Sequence, residues 1–290
     1  MIPRNAKLEK ALVTDQRAAW QAYGRWLAKE GHPLAAVIEA DLAVNLRALS
    51  SASKKHAREV FHAYVAEHLA PGYPTIAQNF VHFTEKVFTK GAGFRYGVLD
   101  ELDTFMWTKA MCAEGAQLLR DEHARFARKL CPRDIAFASL DAFADKPLLR
   151  KLEFRWSNIA KVTSLEPLAG SRTLVALDVR SSKITDLAPL KKVPIVQLYV
   201  DGTALKSFAG LVNHRTLEDL YAKKTRAKDI APLLTCKRLC HVDLWDSAVT
   251  AKDAQRLVDK IQSRNPKASN PPDTISGYSP GLSHHDVMWV

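Results

Sequence analysis

A unit of about 22 residues recurs five times between Leu149 and Val249, and no other feature narrows the possible folds so far. The clearest copy reads LVALDVRSSKITDLAPL, from Leu174 to Leu190. The first apolar position of successive copies falls at Leu149, Leu174, Ile195, Leu217 and Leu239, giving spacings of 25, 21, 22 and 22 residues. Within the clearest copy, Leu174, Leu177 and Val179 alternate with other residues as a strand requires. Ile184, Leu187 and Leu190 then follow at intervals of three, the spacing of a tight helical or 3₁₀ return. Self-similarity at this period marks a solenoid.

Such a unit cannot stand alone. Its handful of apolar side chains each gain roughly 1.5–3 kcal/mol on full burial. Ordering its backbone costs roughly 1–2 kcal/mol per residue. Stacked copies bury one another's apolar rows, so stability becomes a sum over neighbouring interfaces. Replacing Leu177 or Leu198 with alanine is therefore expected to cost about 2–5 kcal/mol in urea denaturation.

The L-x-x-L-x-L core resembles that of leucine-rich repeats, in particular the short, internalin-like bacterial class with its D-L-x-P-L return. That return reads TDLAPL at Thr185 to Leu190, KDIAPL at Lys228 to Leu233 and, more loosely, SLEPL at Ser164 to Leu168. The resemblance implies a parallel sheet on a concave face and protein binding through that face. The asparagine that usually follows the strand in that family is replaced by Ser157, Ser182, Thr203, Thr225 and Ser247. Hydroxyls can still bond the turn backbone. A degenerate copy is expected to precede the clear ones, with Ile135, Phe137 and Leu140 at strand spacing. At the other end, Ala254, Leu257, Val258 and Ile261 share one helical face, as a cap over the last repeat would need.

The N-terminal half reads as mainly helical. Ala19, Trp20, Tyr23, Trp26 and Leu27 form one stripe over residues 15–30, ended by Gly31 and Pro33. Further helices are expected at 34–49, at Val60 to Leu69 and from about Asp103 to Leu130, with strands near Phe80 to Phe83 and Phe94 to Leu99. Tyr23, Trp26, Leu27, Gly31 and Pro33 resemble the core of the repeat-companion domain that precedes bacterial leucine-rich repeats. Arg25, His32 and Leu34 depart from that pattern, and the resemblance carries no enzymatic role. The expected organisation is α/β: a mainly helical N-terminal domain at 1–131, the solenoid with its helical cap at 132–263, and a flexible tail at 264–290.

No apolar run approaches the ~18 residues of a membrane span, and the N-terminus lacks the apolar stretch of a secretory signal. The cysteines, at 112, 131, 236 and 240, are too irregular for a disulfide framework. These features point to a cytoplasmic protein with reduced thiols and no membrane insertion. The net charge of +11 is uneven, with 18 Lys/Arg against 10 Asp/Glu between residues 146 and 250. A positive field of this kind steers acidic partners.

The resemblance to leucine-rich repeats implies that residues between the apolar strand positions line the concave face, and several are larger than the small polar residues expected there. The candidate partner-binding residues are Arg155, Trp156, Asp178, Arg180, Tyr199, Asp201, Tyr221, Lys223, Asp243 and Trp245. Aromatics and arginine are the side chains enriched at interaction hot spots. The alternative is that the aromatics stack on each other, since Tyr199 and Tyr221 occupy equivalent positions. The expected partner is a protein, acidic if the overall charge governs; nucleic acid, held by the basic repeat section including KKTRAK (Lys223 to Lys228), is the alternative. Cys236, Cys240 and His241 form C-x₃-C-H without a second ligand pair, so buried thiols are the expectation and no metal or other cofactor is assigned. No phosphate-loop, zincin or serine-nucleophile motif occurs, and the chain reads as non-catalytic.

Overall fold

The computed structural model describes residues 1–14, 16–44, 51–82, 91–154 and 159–264. Four helices lead: α1 (Ala6–Leu12), α2 (Arg17–Lys29), α3 (Leu34–Ala43) and α4 (Ser51–Tyr64), the last continuing into a π-helical turn at Val65–Leu69. Each apolar stripe faces one shared core: Trp20, Tyr23 and Leu27 of α2, Val37 and Ile38 of α3, and Phe61 of α4 are all buried. The strands follow in a single nine-stranded sheet whose spatial order is the chain order. They are β1 (Phe80–His82), β2 (Gly91–Arg95), β3 (Val98–Asp103), β4 (Lys129–Cys131), β5 (Lys151–Glu153), β6 (Ala176–Asp178), β7 (Gln197–Tyr199), β8 (Asp219–Tyr221) and β9 (His241–Asp243). All neighbours are parallel except the β2–β3 hairpin. The sheet passes from β3 through β4 into the repeats, and one buried core extends from Ile2 to Ile261.

Register follows the repeat. Leu130, Leu152, Leu177, Leu198, Leu220 and Val242 are partners across successive strands, and each is essentially inaccessible to solvent. Below them the return segments make short 3₁₀ turns at Glu166–Leu168, Ala188–Leu190 and Ala209–Leu211 and the helical turn α6 (Ala231–Leu234). The hydroxyls of Thr203 and Thr225 donate to the carbonyls of Val200 and Ala222 at 2.7 and 2.9 Å. Ser182 Oγ is buried with no partner among the described residues, and Ser157 lies outside them. One column is not announced by residue type. The position that ends each strand turn is left-handed at Asp134, Ser181, Gly202, Lys224 and Asp246, with φ between 53° and 65°. Only one of the five is glycine, so the stacked turns hold four side-chain-bearing residues where L-residues are disfavoured by roughly 1–2 kcal/mol.

Three expectations for the chain before Leu149 need correction. The strand near Phe94 to Leu99 is two strands, β2 and β3, joined by a two-residue turn at Tyr96 and Gly97 with φ of 56° and 68°. Positive φ at both turn residues matches the right-handed twist of the flanking strands. The long helix from Asp103 to Leu130 is instead α5 (Lys109–Leu118), a 3₁₀ turn at Glu122–Ala124 and β4. Met106 is left-handed at φ 65°, Thr108 caps α5, and Asp121 leaves helical geometry to cap the next turn. The degenerate repeat exists, but its strand is β4, not Ile135 to Leu140. Phe137, Leu140 and Phe143 occupy the return positions matching Ile184, Leu187 and Leu190, where Phe137 and Phe143 pack on Phe154.

At the far end α7 (Ala251–Arg264) buries Ala254, Leu257, Val258 and Ile261 against the last repeat, as the helical spacing requires. Thr250 caps it, accepting from Asp253 N at 3.1 Å and donating to the Asp253 carboxylate at 2.8 Å. The expected extension of α3 to residue 49 and the tail beyond Arg264 lie outside the described residues.

Candidate functional site

Successive strands place equivalent residues side by side, so the solvent-facing side of the sheet is a set of columns running along the solenoid. The central column carries Glu153, Asp178, Tyr199, Tyr221 and Asp243. Beside it run Lys151, Ala176, Gln197, Asp219 and His241, which precede the central residues by two in each strand. On the other side stand Arg180, Asp201, Lys223 and Trp245, two residues after them. Arg155 and Trp156 lie outside the described residues; the other eight candidates share this face.

Tyr199 and Tyr221 stack with ring centroids 4.4 Å apart and planes 6° apart. The Arg180 guanidinium sits 5.4 Å over the Tyr199 ring, and His241 meets Tyr221 edge-on at 5.1 Å. The result is a continuous column of π surfaces across β6 to β9. An aromatic pair of this kind contributes about 0.5–1.5 kcal/mol beyond its buried area. Trp245 ends the neighbouring column, 44% exposed, with Lys224 Nζ 5.2 Å from its ring.

The charges on this face are largely engaged with one another. Arg180 donates Nε–H and Nη2–H to Asp178 at 2.9 and 2.6 Å, which holds its guanidinium above its ordinary pKa. Lys223 Nζ is 2.8 Å from Asp243, and Lys151 Nζ is 3.1 Å from Glu153. Gln197 donates to Asp219 at 3.0 Å. Asp201 accepts the backbone N–H of Lys223 at 2.8 Å. Burial raises the Asp201 carboxyl above its usual range, the Lys223 N–H and Arg180 pull it down, and Asp243 pushes it up again. Burial, reinforced by Tyr199 and the carboxylates of Asp219, Asp243 and Asp201, pushes the Tyr221 hydroxyl up to about 12.

The basic run KKTRAK divides among surfaces, as its spacing requires. Lys223 lies on the sheet face, Lys224 at the left-handed turn, and Arg226 and Lys228 are exposed on the edge beyond. Cys236 is buried, its thiol donating to Leu211 O at 3.1 Å, while Cys240 is half-buried beside Asp219. Among the described residues no group of three His, Cys, Asp or Glu could hold a metal ion, and no helix is long and apolar enough to cross a membrane.

The repeated strand–return unit, the parallel sheet and the capping helix define a solenoid of the leucine-rich-repeat fold, preceded by a helical region. No family model matches the chain, and no curated protein matches it in sequence. Among solved structures it is similar to internalin C2 of Listeria monocytogenes, with 21% identity and a TM-score of 0.38 over 44% of this chain and 66% of that one. A second internalin of the same organism, inlF, gives 18% identity and a TM-score of 0.42 over 51% of this chain and 42% of that one. A leucine-rich-repeat protein of Leptospira interrogans gives 12% and 0.33, over 58% and 53%. Each match spans less than two thirds of the other chain. At these values the assignment of fold rests on the strands and register of the chain itself.

Proposed function

We propose that this chain is a non-catalytic protein-binding scaffold, acting in the cytoplasm as an adaptor or inhibitor, whose concave sheet face grips a protein partner. The observation that carries the reading is the aromatic surface across β6 to β9. Stacking accounts for how Tyr199 and Tyr221 meet each other. It does not account for Trp245, which remains 44% exposed at the end of the same face. Tyrosine, tryptophan and arginine gathered on one rigid face are what interaction hot spots are made of. Solenoids offer such surfaces because their curvature follows from stacking alone.

The nucleic-acid alternative has less support from the geometry. It needs basic side chains available on the face that makes contact. On the sheet face Arg180 and Lys223 are bound to Asp178 and Asp243, so a polyanion would have to be held by the exposed turn edges and not by the aromatic face.

The test compares wild type with a Tyr199→Ala/Tyr221→Ala/Trp245→Ala variant by affinity capture from the native cell, with circular dichroism melting to confirm folding. A partner held by wild type is expected to be lost from the variant, since truncating hot-spot aromatics costs about 2 kcal/mol or more each. Retention of the same partner by a folded variant would overturn the concave-face reading.

A further inference from the structure

Most of the positive charge of the repeats lies off the face that the aromatics occupy. Lys161, Lys183, Lys206, Arg226 and Lys228 are exposed on the turns that follow the strands. Arg172, Lys191, Lys192 and Lys237 are exposed on the turns that precede them. On β6 to β9 and the residues that follow each strand, the solvent-facing columns hold Asp178, Asp201, Asp219 and Asp243 against Arg180 and Lys223. Both of those cations are already paired, with Asp178 and Asp243. Asp201 and Asp219 accept from neutral donors, a backbone N–H and the Gln197 amide, and neither makes an ion pair among the described residues, although Arg180 and Lys223 lie near enough to Asp201 to draw its carboxyl down. They stand on opposite sides of the Tyr199–Tyr221 stack, four residues apart in strand register and so roughly 13 Å apart along the strands.

We infer that the partner segment seated on this concave face is basic, an extended or looped stretch presenting arginine or lysine side chains to Asp201 and Asp219 across the tyrosine stack. The inference rests on the concave face being the binding surface. Charge complementarity across an interface sets which partner is admitted, and a like-charged one is strongly disfavoured. An acidic partner, which the overall net charge favours, would meet the turn edges and be repelled by the face. The separation of the two carboxylates calls for two cationic side chains, not one ion. The tyrosine hydroxyls between them can act as acceptors, and arginine satisfies such planar, multi-acceptor surfaces with its fixed fork of donors.

The experiment is selection of a random peptide library displayed on phage against the full chain, followed by affinity measurements on synthetic copies of the enriched peptides. Peptides rich in arginine and lysine are expected, even though the protein is itself basic. Their affinity should fall at least tenfold in an Asp201→Asn/Asp219→Asn variant, whose substitutions keep side-chain shape. It should be unchanged in a Lys183→Gln/Lys206→Gln/Arg226→Gln variant of the turn edge. Basic peptides indifferent to the Asn variant would overturn the inference. So would enrichment of acidic or uncharged peptides. If those peptides still require Tyr199, Tyr221 and Trp245, the concave-face reading survives without its charge assignment. If they do not, or if nothing is enriched, both fall.

Discussion

Replacing Gly210 with proline is expected to destabilise the protein by about 3 kcal/mol in urea denaturation, although proline is the residue that the return segment carries elsewhere. Pro167, Pro189 and Pro232 occupy the equivalent position in the other clear copies with this return. Consensus substitution in a repeat array ordinarily stabilises. Here the local packing forbids it. A Cβ at residue 210 would lie 2.3 Å from the carbonyl carbon of Leu187 and 2.4 Å from the nitrogen of Ala188. Those atoms are backbone and cannot rotate away. The repeat that begins at Leu174 is 21 residues long, one shorter than those after it, and the turn at Ala209–Leu211 comes directly onto the turn at Ala188–Leu190. The converse change, Pro189→Gly, should cost only about 0.4–1 kcal/mol through unfolded-chain entropy. Equal costs for the two substitutions would show that Gly210 is not held by this contact.

Asp41→Ala is expected to destabilise by about 1–3 kcal/mol for each of the two buried hydrogen bonds it removes. Asp41 and His82 are fully buried as side chains, with the carboxylate 2.7 Å from His82 Nε2 on β1. The other carboxylate oxygen accepts the N–H of Tyr96 at 2.5 Å, in the left-handed hairpin turn. One side chain on α3 therefore ties the helices to the first strand and to the hairpin that opens the sheet. Gly97 completes the joint, since a Cβ there would lie 2.3 Å from Leu34 Cδ1. Asp41→Asn keeps an acceptor for Tyr96 and should lose less than half as much. Amide exchange gives the specific readout: protection at Tyr96 should disappear in the alanine variant and persist in the asparagine one. Persistence in both would place the anchoring of the turn elsewhere.

The parts of the fold legible in the sequence are those that repeat or carry a period. β5 to β9 lie at the strand positions of the five copies, and α7 buries the four residues its spacing aligned. β4 was hidden because its unit carries Ala127 and Pro132 where other copies carry larger apolar residues, so Leu130 alone marks it. The β2–β3 turn was hidden because Tyr96 is an uncommon residue at positive φ and is held there by Asp41, 55 positions away. For the candidate site, period-two alternation was enough to put Tyr199, Tyr221 and Trp245 on one face. The charge of that face was not legible, because a net charge sums over turns and columns that point different ways.

By itself the sequence determined the solenoid, its register and the identity of the residues on its open face, because a 22-residue period leaves each apolar side chain only one way to be buried. Only the tertiary structure decided how the helical region joins the sheet, which turns are strained, why one repeat must have glycine where the others have proline, and where the charges lie. Those outcomes depend on atoms far apart in the chain meeting at van der Waals or ion-pair distance, and no local pattern encodes such a meeting.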